Sequence, residues 1–463
     1  MGRIVVPRRD VLKGLGAAAG LAACGPDPLA PGRSGVRGPG RIDTIVICMM
    51  ENRSFDHVFG SLSLLEGRTD IDGLVAGMSN PDLDGVEIPI NPSVAPCVDP
   101  DPPHGWDTSR VQLDGGANRG FVKAYLQSNG LSAPPSFPMS YQTRATLPVT
   151  YALADRYAIC QNWYSSVLTS TWPNRLYFHA AQSLGVDSND LPSGGYKCRT
   201  IWDQLTDAGI DWAYYFTDLP TLALFTNPNF AGHLLFIDQF HADAAAGNLP
   251  PVVCVDAGAG FNDDHPPHHP MLGQLFIGSI YQSLAASPHW PTSMFMVTYD
   301  EAGGFFDHVA PGTMDDDYAS TGFDQLGFRV PAFAAGPYVK NTVSSTRFDH
   351  TAALTFIQNQ FGITERLTKR NEASARDADL AELLDLDALA AGTPADPIEL
   401  PVIEASEEEI EAECASLGNR TGQPELRAHV RSWDRALDRT EQLPDIARAS
   451  WRLAYDQGLW VPR

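Results

Sequence analysis

Two carboxylates side by side at the end of an apolar run, Asp300–Glu301 in FMVTYDEAGGFFDHV (Phe295–Val309), are the first residues that could do chemistry. Adjacent acids taken out of water repel unless a cation joins them, and hard divalent cations take oxygen ligands. Gly303 and Gly304 follow, so the backbone can turn close to such an ion. The alternative for the pair is an acidic first turn of a helix, which the preceding apolar strand disfavours. Glu51–Asn52 closes the run DTIVICMM in the same manner and offers further oxygen ligands, or simply partners for loop backbone groups. In LTSTWPNRLYFHAA (Leu168–Ala181), Pro173 suits the first turn of a helix. Thr171 then lies just ahead of a helix N-terminus, where N–H groups and the helix dipole favour an anionic phosphate. A hydroxyl beside a cation and a phosphate is a candidate nucleophile. FNDDHPPHHP (Phe261–Pro270) supplies Asp263, Asp264, His265, His268 and His269 on a proline-stiffened loop that reads as exposed. A protonated histidine there neutralises phosphate oxygens or protonates a leaving group. Histidine clusters also bind zinc, but no cysteine pattern accompanies this one. His350, in FDHTAALTF, and His104, in DPPHGWD, are further candidates; a lone histidine is more often structural.

The elements that must position these groups are strands ending in polar loops. DTIVICMM, DWAYYF, PVVCVD, SMFMVTY and VPAFAAG are continuous apolar runs rather than alternating ones, which suits parallel strands covered on both faces. TIWDQLTDAGI, MLGQLFIGSIYQSLAA and FDHTAALTFIQNQFG carry helical spacing between them, the first and last ending at Gly209 and Gly362. Strand–helix alternation predicts an α/β sandwich, and in such sheets ligands bind outside the carboxyl ends of the strands. Asp300–Glu301 and Glu51–Asn52 both stand there.

With 463 residues, 43% hydrophobic, the chain can build a large core. A formal charge of −24 argues against a nucleic-acid partner, although one bound cation can reverse the potential locally. Residues 1–24 read as an export signal: Arg8 and Arg9 in RRDVLKG, a short Gly/Ala-rich apolar stretch, then LAAC, a lipobox ending at Cys24. The expectation is export by the twin-arginine route, to a cell-envelope lipoprotein held to the membrane by lipid on Cys24 or to a secreted protein. Residues 25–41, rich in Pro and Gly, read as a tether. Residues 42–375 form the catalytic domain and 376–463 an acidic, helical C-terminal cap whose charge runs read as solvated faces.

Four motifs then carry a resemblance: E-N-R-S-F-D-H at Glu51–His57, T-x-P-N-R at Thr171–Arg175, D-E-x-x-G-x-x-D-H-V at Asp300–Val309, and G-x-R-V-P-x-x-x-x-x-P at Gly327–Pro337. In this order they resemble the bacterial phospholipase C and acid phosphatase phosphoesterases, which include the plant non-specific phospholipases C. The resemblance implies an alkaline-phosphatase-like fold with a mostly parallel sheet, helices on both faces, and one divalent metal, which could be Ca, Mg, Mn or Zn. It implies Asn52, Asp300 and Glu301 as metal ligands with Glu51 beside them, and Thr171 at the metal as nucleophile. His104, His265 and His350 are implied as phosphate ligands or acid–base groups, and Asn174 and Arg175 as substrate-binding. Ala302 departs from the family, where many members carry His, and the chain lacks the β-rich extensions of large haemolytic members. The implied activity is hydrolysis of a phosphate ester, most simply the phosphodiester of a phospholipid; the alternatives are an acid phosphatase acting on soluble monoesters and a surface lipoprotein that binds a phosphorylated ligand without turnover. A sulfatase is disfavoured because Thr171 cannot be oxidised to formylglycine.

Overall fold

The computed structural model describes residues 41–93, 96–410 and 424–463. The expected export signal with its lipobox Cys24, and residues 25–40 of the expected tether, lie outside them.

The five apolar runs lie in one eight-stranded sheet, joined by three short strands the patterning did not mark. Its strands are β1 (Thr44–Met50), β2 (Ala158–Cys160), β3 (Trp212–Phe216), β4 (Leu234–Phe236), β5 (Val252–Asp256), β6 (Ser293–Tyr299), β7 (Ala332–Ala335) and β8 (Val343–Ser344). Their spatial order is β8-β2-β7-β6-β1-β5-β3-β4. Every residue of β1, β3, β5, β6 and β7 is buried, the reason these strands read as unbroken apolar runs. β1 lies at the centre with β5 and β6 on either side, both parallel to it, with Met49 opposite both Asp256 and Thr298. The carboxyl ends of three adjacent strands are thereby level: Asp256, Glu51–Asn52 and Asp300–Glu301 share one edge.

The sheet is mixed. β7 runs antiparallel to both β6 and β2, whereas β1, β3, β4, β5 and β6 are mutually parallel. An apolar run shows that a strand is covered, not which way it points.

Nine helices matter for the site. They are α1 (Phe55–Leu64), α2 (Pro148–Arg156), α3 (Thr171–Ala180), α4 (Ile201–Asp207), α5 (Ile237–Ala246), α6 (Pro270–Ala285), α7 (Thr351–Gln360), α8 (Lys369–Asp377) and α9 (Leu443–Asp456). α2, α5 and α9 pack on α6; α3 and α8 pack on α7, and α4 on α3. α4 has a full capping box, with Thr200 and Asp203 each accepting from the other's backbone N–H. Residues after 376 contribute Leu380, Leu383, Leu400, Ile403, Trp451 and Trp460 to the same hydrophobic core as the sheet. They also form a short parallel pair, Ile403–Ala405 with Trp460–Pro462, that the helical pattern did not announce. Cys48, Cys160 and Cys254 are buried free thiols, Cys198 is a half-buried one, and Cys97 is disulfide-bonded.

Candidate active site

The strand ends converge on one guanidinium. Arg175, buried on α3, donates from Nη2 to Glu51 Oε1 (2.8 Å), from Nη1 to Asp256 Oδ1 (2.8 Å) and from Nε to Asp300 Oδ2 (3.2 Å). Each of three adjacent strands thus sends one carboxylate to the same side chain. Asp300 turns its other oxygen back, Oδ1 accepting from the N–H of Asn52 (3.1 Å) and of Glu301 (2.7 Å). Asn52 takes a left-handed backbone conformation, φ 58°, which asparagine tolerates better than most residues.

The glycines after the acidic pair are required. Gly303 and Gly304 have φ of 61° and 69°, and a Cβ would stand 2.3 Å from the Asn52 carbonyl oxygen and 2.5 Å from that of Pro103. Only glycine lets this loop pass so close to the residues it faces.

Charge is out of balance here. Glu51, Asp256, Asp300 and Glu301 are all buried, and among the described residues Arg175 is the one guanidinium bonded to them, through the first three. Burial, with Asp300 adding to it, pushes Glu51 well above the usual carboxylate range despite Arg175. Burial and Asp300 push Glu301 up as well, against the opposing pull of His104. Two buried oxygens here, Asn52 Oδ1 and Glu301 Oε1, have no hydrogen-bond partner among the described residues. Buried polar atoms left so are costly. Excess carboxylate charge with orphaned hard oxygens is chemistry a divalent cation satisfies: Glu51, Asn52, Asp300 and Glu301 offer oxygens, although Glu51 Oε1 and both Asp300 oxygens are engaged, and beside them the ligand atoms of Asp101, His104 and His265 lie within 4.8 Å of one another.

Thr171 is the first residue of α3 rather than the residue ahead of it, with Ser170 at the cap position. It is buried and stands four residues before Arg175, hence one turn along the same helix face. Asn174 shapes the preceding loop: Oδ1 accepts from Val167 N–H, and Nδ2 donates to the carbonyls of Thr169 (3.0 Å) and Ser170 (3.1 Å). Asn174 and Arg175, expected to touch substrate, have their polar atoms engaged within the protein.

His104 stands across from the acids. Its Nδ1–H donates to the Pro102 carbonyl (2.8 Å), and Nε2 faces Glu301 Oε1 at 3.8 Å and Asn52 Nδ2 at 3.4 Å. Burial works against its charge, but Glu301 and Asp101 outweigh that and raise it to about 9. His265, part-exposed, packs edge-on to His104 with ring centroids 5.8 Å apart, and its Nε2 lies 3.9 Å from Asp101 Oδ2. His350 is fully buried. Trp163 donates to its Nδ1 (3.2 Å), which leaves Nε2–H to donate to the Asp300 carbonyl (2.7 Å). Burial holds its pKa below the ordinary value. One of its nitrogens is held by Trp163 and the other holds Asp300.

The loop at 262–269 is not the exposed segment its prolines suggest. Asp263 and Asp264 are buried. The Asp263 carbonyl accepts from Glu51 N–H (2.8 Å), and its carboxylate pairs with His268 Nδ1 (2.6 Å). Asp264 accepts from the Tyr299 hydroxyl (2.6 Å), and Arg53 donates to its carbonyl. Arg53 and Tyr299 come from distant segments, so the local sequence carries no sign of this burial. Asp256 and Asp101 are site residues that the motifs leave out. A carboxylate ending an apolar strand was the available signal for Asp256, and a place three positions before His104 in DPPHGWD for Asp101.

A second charged cluster involves the same motifs without joining the site. His308 pairs through Nδ1 with Asp56 Oδ2 (2.6 Å), while buried Arg329 donates to Asp56 Oδ1 (3.1 Å) and Asp307 Oδ1 (2.9 Å). Here a guanidinium already supplies the cation, so the cluster ties α1 to the later loop. Partial burial opposes charge on His308, but Asp56 raises it to about 9. A raised folded-state pKa gives stability that is complete below the unfolded value near 6.5 and lost as pH rises through 9. His308→Gln should therefore lower the thermal midpoint most below pH 6.5, with the gap from wild type closing above pH 9 in paired melts. A gap independent of pH would show that the ion pair contributes nothing.

The phosphoesterase family profile matches residues 42–364. Non-specific phospholipase C1 of Arabidopsis thaliana is 33% identical over 377 residues, covering 73% of this chain and 70% of that protein. Phospholipase C A of Mycobacterium tuberculosis is 32% identical over 384 residues, covering 70% and 73%. Among solved structures, a protein in the alkaline phosphatase superfamily from Vibrio parahaemolyticus aligns over 78% of this chain and 76% of its own, at 10% identity and a TM-score of 0.37. The family match and these relatives make the protein a hydrolase acting on phosphate esters. The chain belongs to the phosphoesterase family.

Proposed function

We propose that this enzyme hydrolyses a phosphodiester of phospholipase C type through Thr171, with one divalent cation at Glu51, Asn52, Asp300 and Glu301. The observation that carries the reading is the set of buried, unpartnered Asn52 Oδ1 and Glu301 Oε1 beside strand-end carboxylates that outnumber their guanidinium. The relatives named above as phospholipases C support the diester as substrate.

When bound, the cation supplies neutralisation of negative charge on the phosphate oxygens. Arg175 and His350 keep Asp300 in place, and the Asn52 and Glu301 backbone N–H groups fix its carboxylate. Thr171, at the amino end of a ten-residue helix, meets an anionic phosphate at the favourable pole of the dipole. Its oxygen attacks phosphorus as the bond to the alcohol breaks, and the hydroxyl proton passes to solvent. His104, beside Glu301 and Asp101, is the group placed to give a proton to the departing oxygen. Water then cleaves the phospho-threonine, releasing the phosphoryl product. His265, part-exposed at the outer side of His104, is the group for the substrate's remaining oxygens. Export by the twin-arginine route and lipid on Cys24 belong to the same proposal, resting on residues 8–24; loss of membrane partition in Cys24→Ser tests them.

Turnover of p-nitrophenylphosphocholine against p-nitrophenyl phosphate, before and after exhaustive chelation, tests the reading. The diester should be the better substrate, activity should fall to background on chelation, and a divalent ion should restore it. Full activity after metal removal would overturn the cation's role, and preference for the monoester would favour the phosphatase.

A further inference from the structure

The C-terminal helix closes a cavity that the proposed chemistry leaves unused. A space of about 220 Å³ lies between α5, α6 and α9. Its walls are mainly apolar, with Ile237 of α5, Leu272, Leu275 and Phe276 of α6, and Ile446 and Leu453 of α9, and they also carry Asp238 and His241 of α5 and Ser279 of α6. Exposed Ala449 stands at its rim. Native interiors keep few voids larger than a water molecule, and apolar cavities hold water poorly. A mainly apolar space of several water volumes, open at an exposed rim, suits an occupant made largely of hydrocarbon.

Its position says which. α5 and α6 follow β4 and β5, so their first turns stand at the carboxyl edge of the sheet; Ile237, Asp238 and Leu272 of those turns line one part of the cavity, and His241, Leu275, Phe276 and Ser279 line it farther along the helices. Two further lining residues sit one step from the charged site. Asn262 precedes Asp263, whose carbonyl accepts from Glu51 N–H, and the Thr217 hydroxyl donates to the Asp256 carbonyl (3.3 Å). The segment leading into α9 is fastened to that same edge: Arg439 N–H donates to the Asp218 carbonyl (3.0 Å), and its guanidinium lies over the Phe236 ring, 4.4 Å from the centroid. α9 falls outside the residues matched by the family profile, so this wall belongs to the chain's own C-terminal segment.

We propose that the cavity receives one hydrocarbon chain of the phosphate-ester substrate, giving the C-terminal segment a part in selecting lipid over soluble esters. The inference rests on the phosphodiester reading above. Alkylphosphocholines from butyl to dodecyl, used below their micellar concentrations as inhibitors of p-nitrophenylphosphocholine turnover, test it. Inhibition should tighten by up to about fourfold per added methylene until the space is filled. Ala449→Trp, which carries an indole over the mouth from an exposed helix position, should flatten the series, and Ser450→Trp on the same rim should do likewise. A flat series in the wild type, or an unchanged slope in both variants, overturns the cavity's role while p-nitrophenylphosphocholine turnover leaves the site reading intact. Absence of turnover on that ester and on p-nitrophenyl phosphate overturns the site reading and this inference with it.

Discussion

Replacing Thr171 with alanine is expected to leave the fold intact and lower kcat by on the order of a thousandfold or more. The structural cost should be small. Thr171 is the first residue of α3, the cap position belongs to Ser170, and alanine is well tolerated in a helix. The catalytic cost should be large because no second hydroxyl stands on that helix face ahead of Arg175. Thr171→Ser keeps the oxygen and should retain measurable turnover, whereas Thr171→Val keeps the shape and should not. Steady-state rates with unchanged circular dichroism and thermal midpoint check this. An alanine variant within tenfold of wild type would remove Thr171 from the chemistry.

Arg175→Met should be the most destabilising single change at the site. It removes the partner of Glu51, Asp256 and Asp300 at once, and breaking a buried ion pair from one side costs about 3–5 kcal/mol. The pH dependence has a definite sign. Burial already raises Glu51 above its unfolded value, and losing Arg175 removes an opposing influence. A raised carboxyl makes the folded state bind more protons, so the variant should regain stability as pH falls through that raised value. A saturating divalent ion should restore part of the loss at neutral pH, because it too neutralises the carboxylates. Urea unfolding at two pH values, with and without the ion, measures both effects. A loss under about 1 kcal/mol, or one unaffected by acid and by metal, would mean that the guanidinium is not what holds the strand ends together.

Much of this site was legible because burial and chemistry coincide at strand ends. Runs such as SMFMVTY are apolar because β6 is covered on both faces, and acids just beyond them must therefore face the ligand edge. The Gly303–Gly304 turn was legible for the same reason: only glycine suits the approach it makes. What escaped depends on partners far away in sequence. The antiparallel direction of β7 is set by its connections, which an apolar run does not encode. The burial of Asp263 and Asp264 depends on Glu51, Arg53 and Tyr299, and histidines and prolines alone suggested a solvated loop. Arg175 read as a residue reaching for phosphate, but three carboxylates from separate strands occupy it, and one of these, Asp256, has no motif around it. His350 likewise shares its two nitrogens between Trp163 and the Asp300 carbonyl.

The central claim is that Thr171 carries the phosphoryl group covalently before water does. Hydrolysis of a single diastereomer of a p-nitrophenyl phosphorothioate diester in oxygen-18 water tests it most directly, because each in-line displacement inverts phosphorus once. Two displacements, by Thr171 and then by water, predict a thiophosphate product with net retention; net inversion would show that water attacks the substrate directly and would contradict the account.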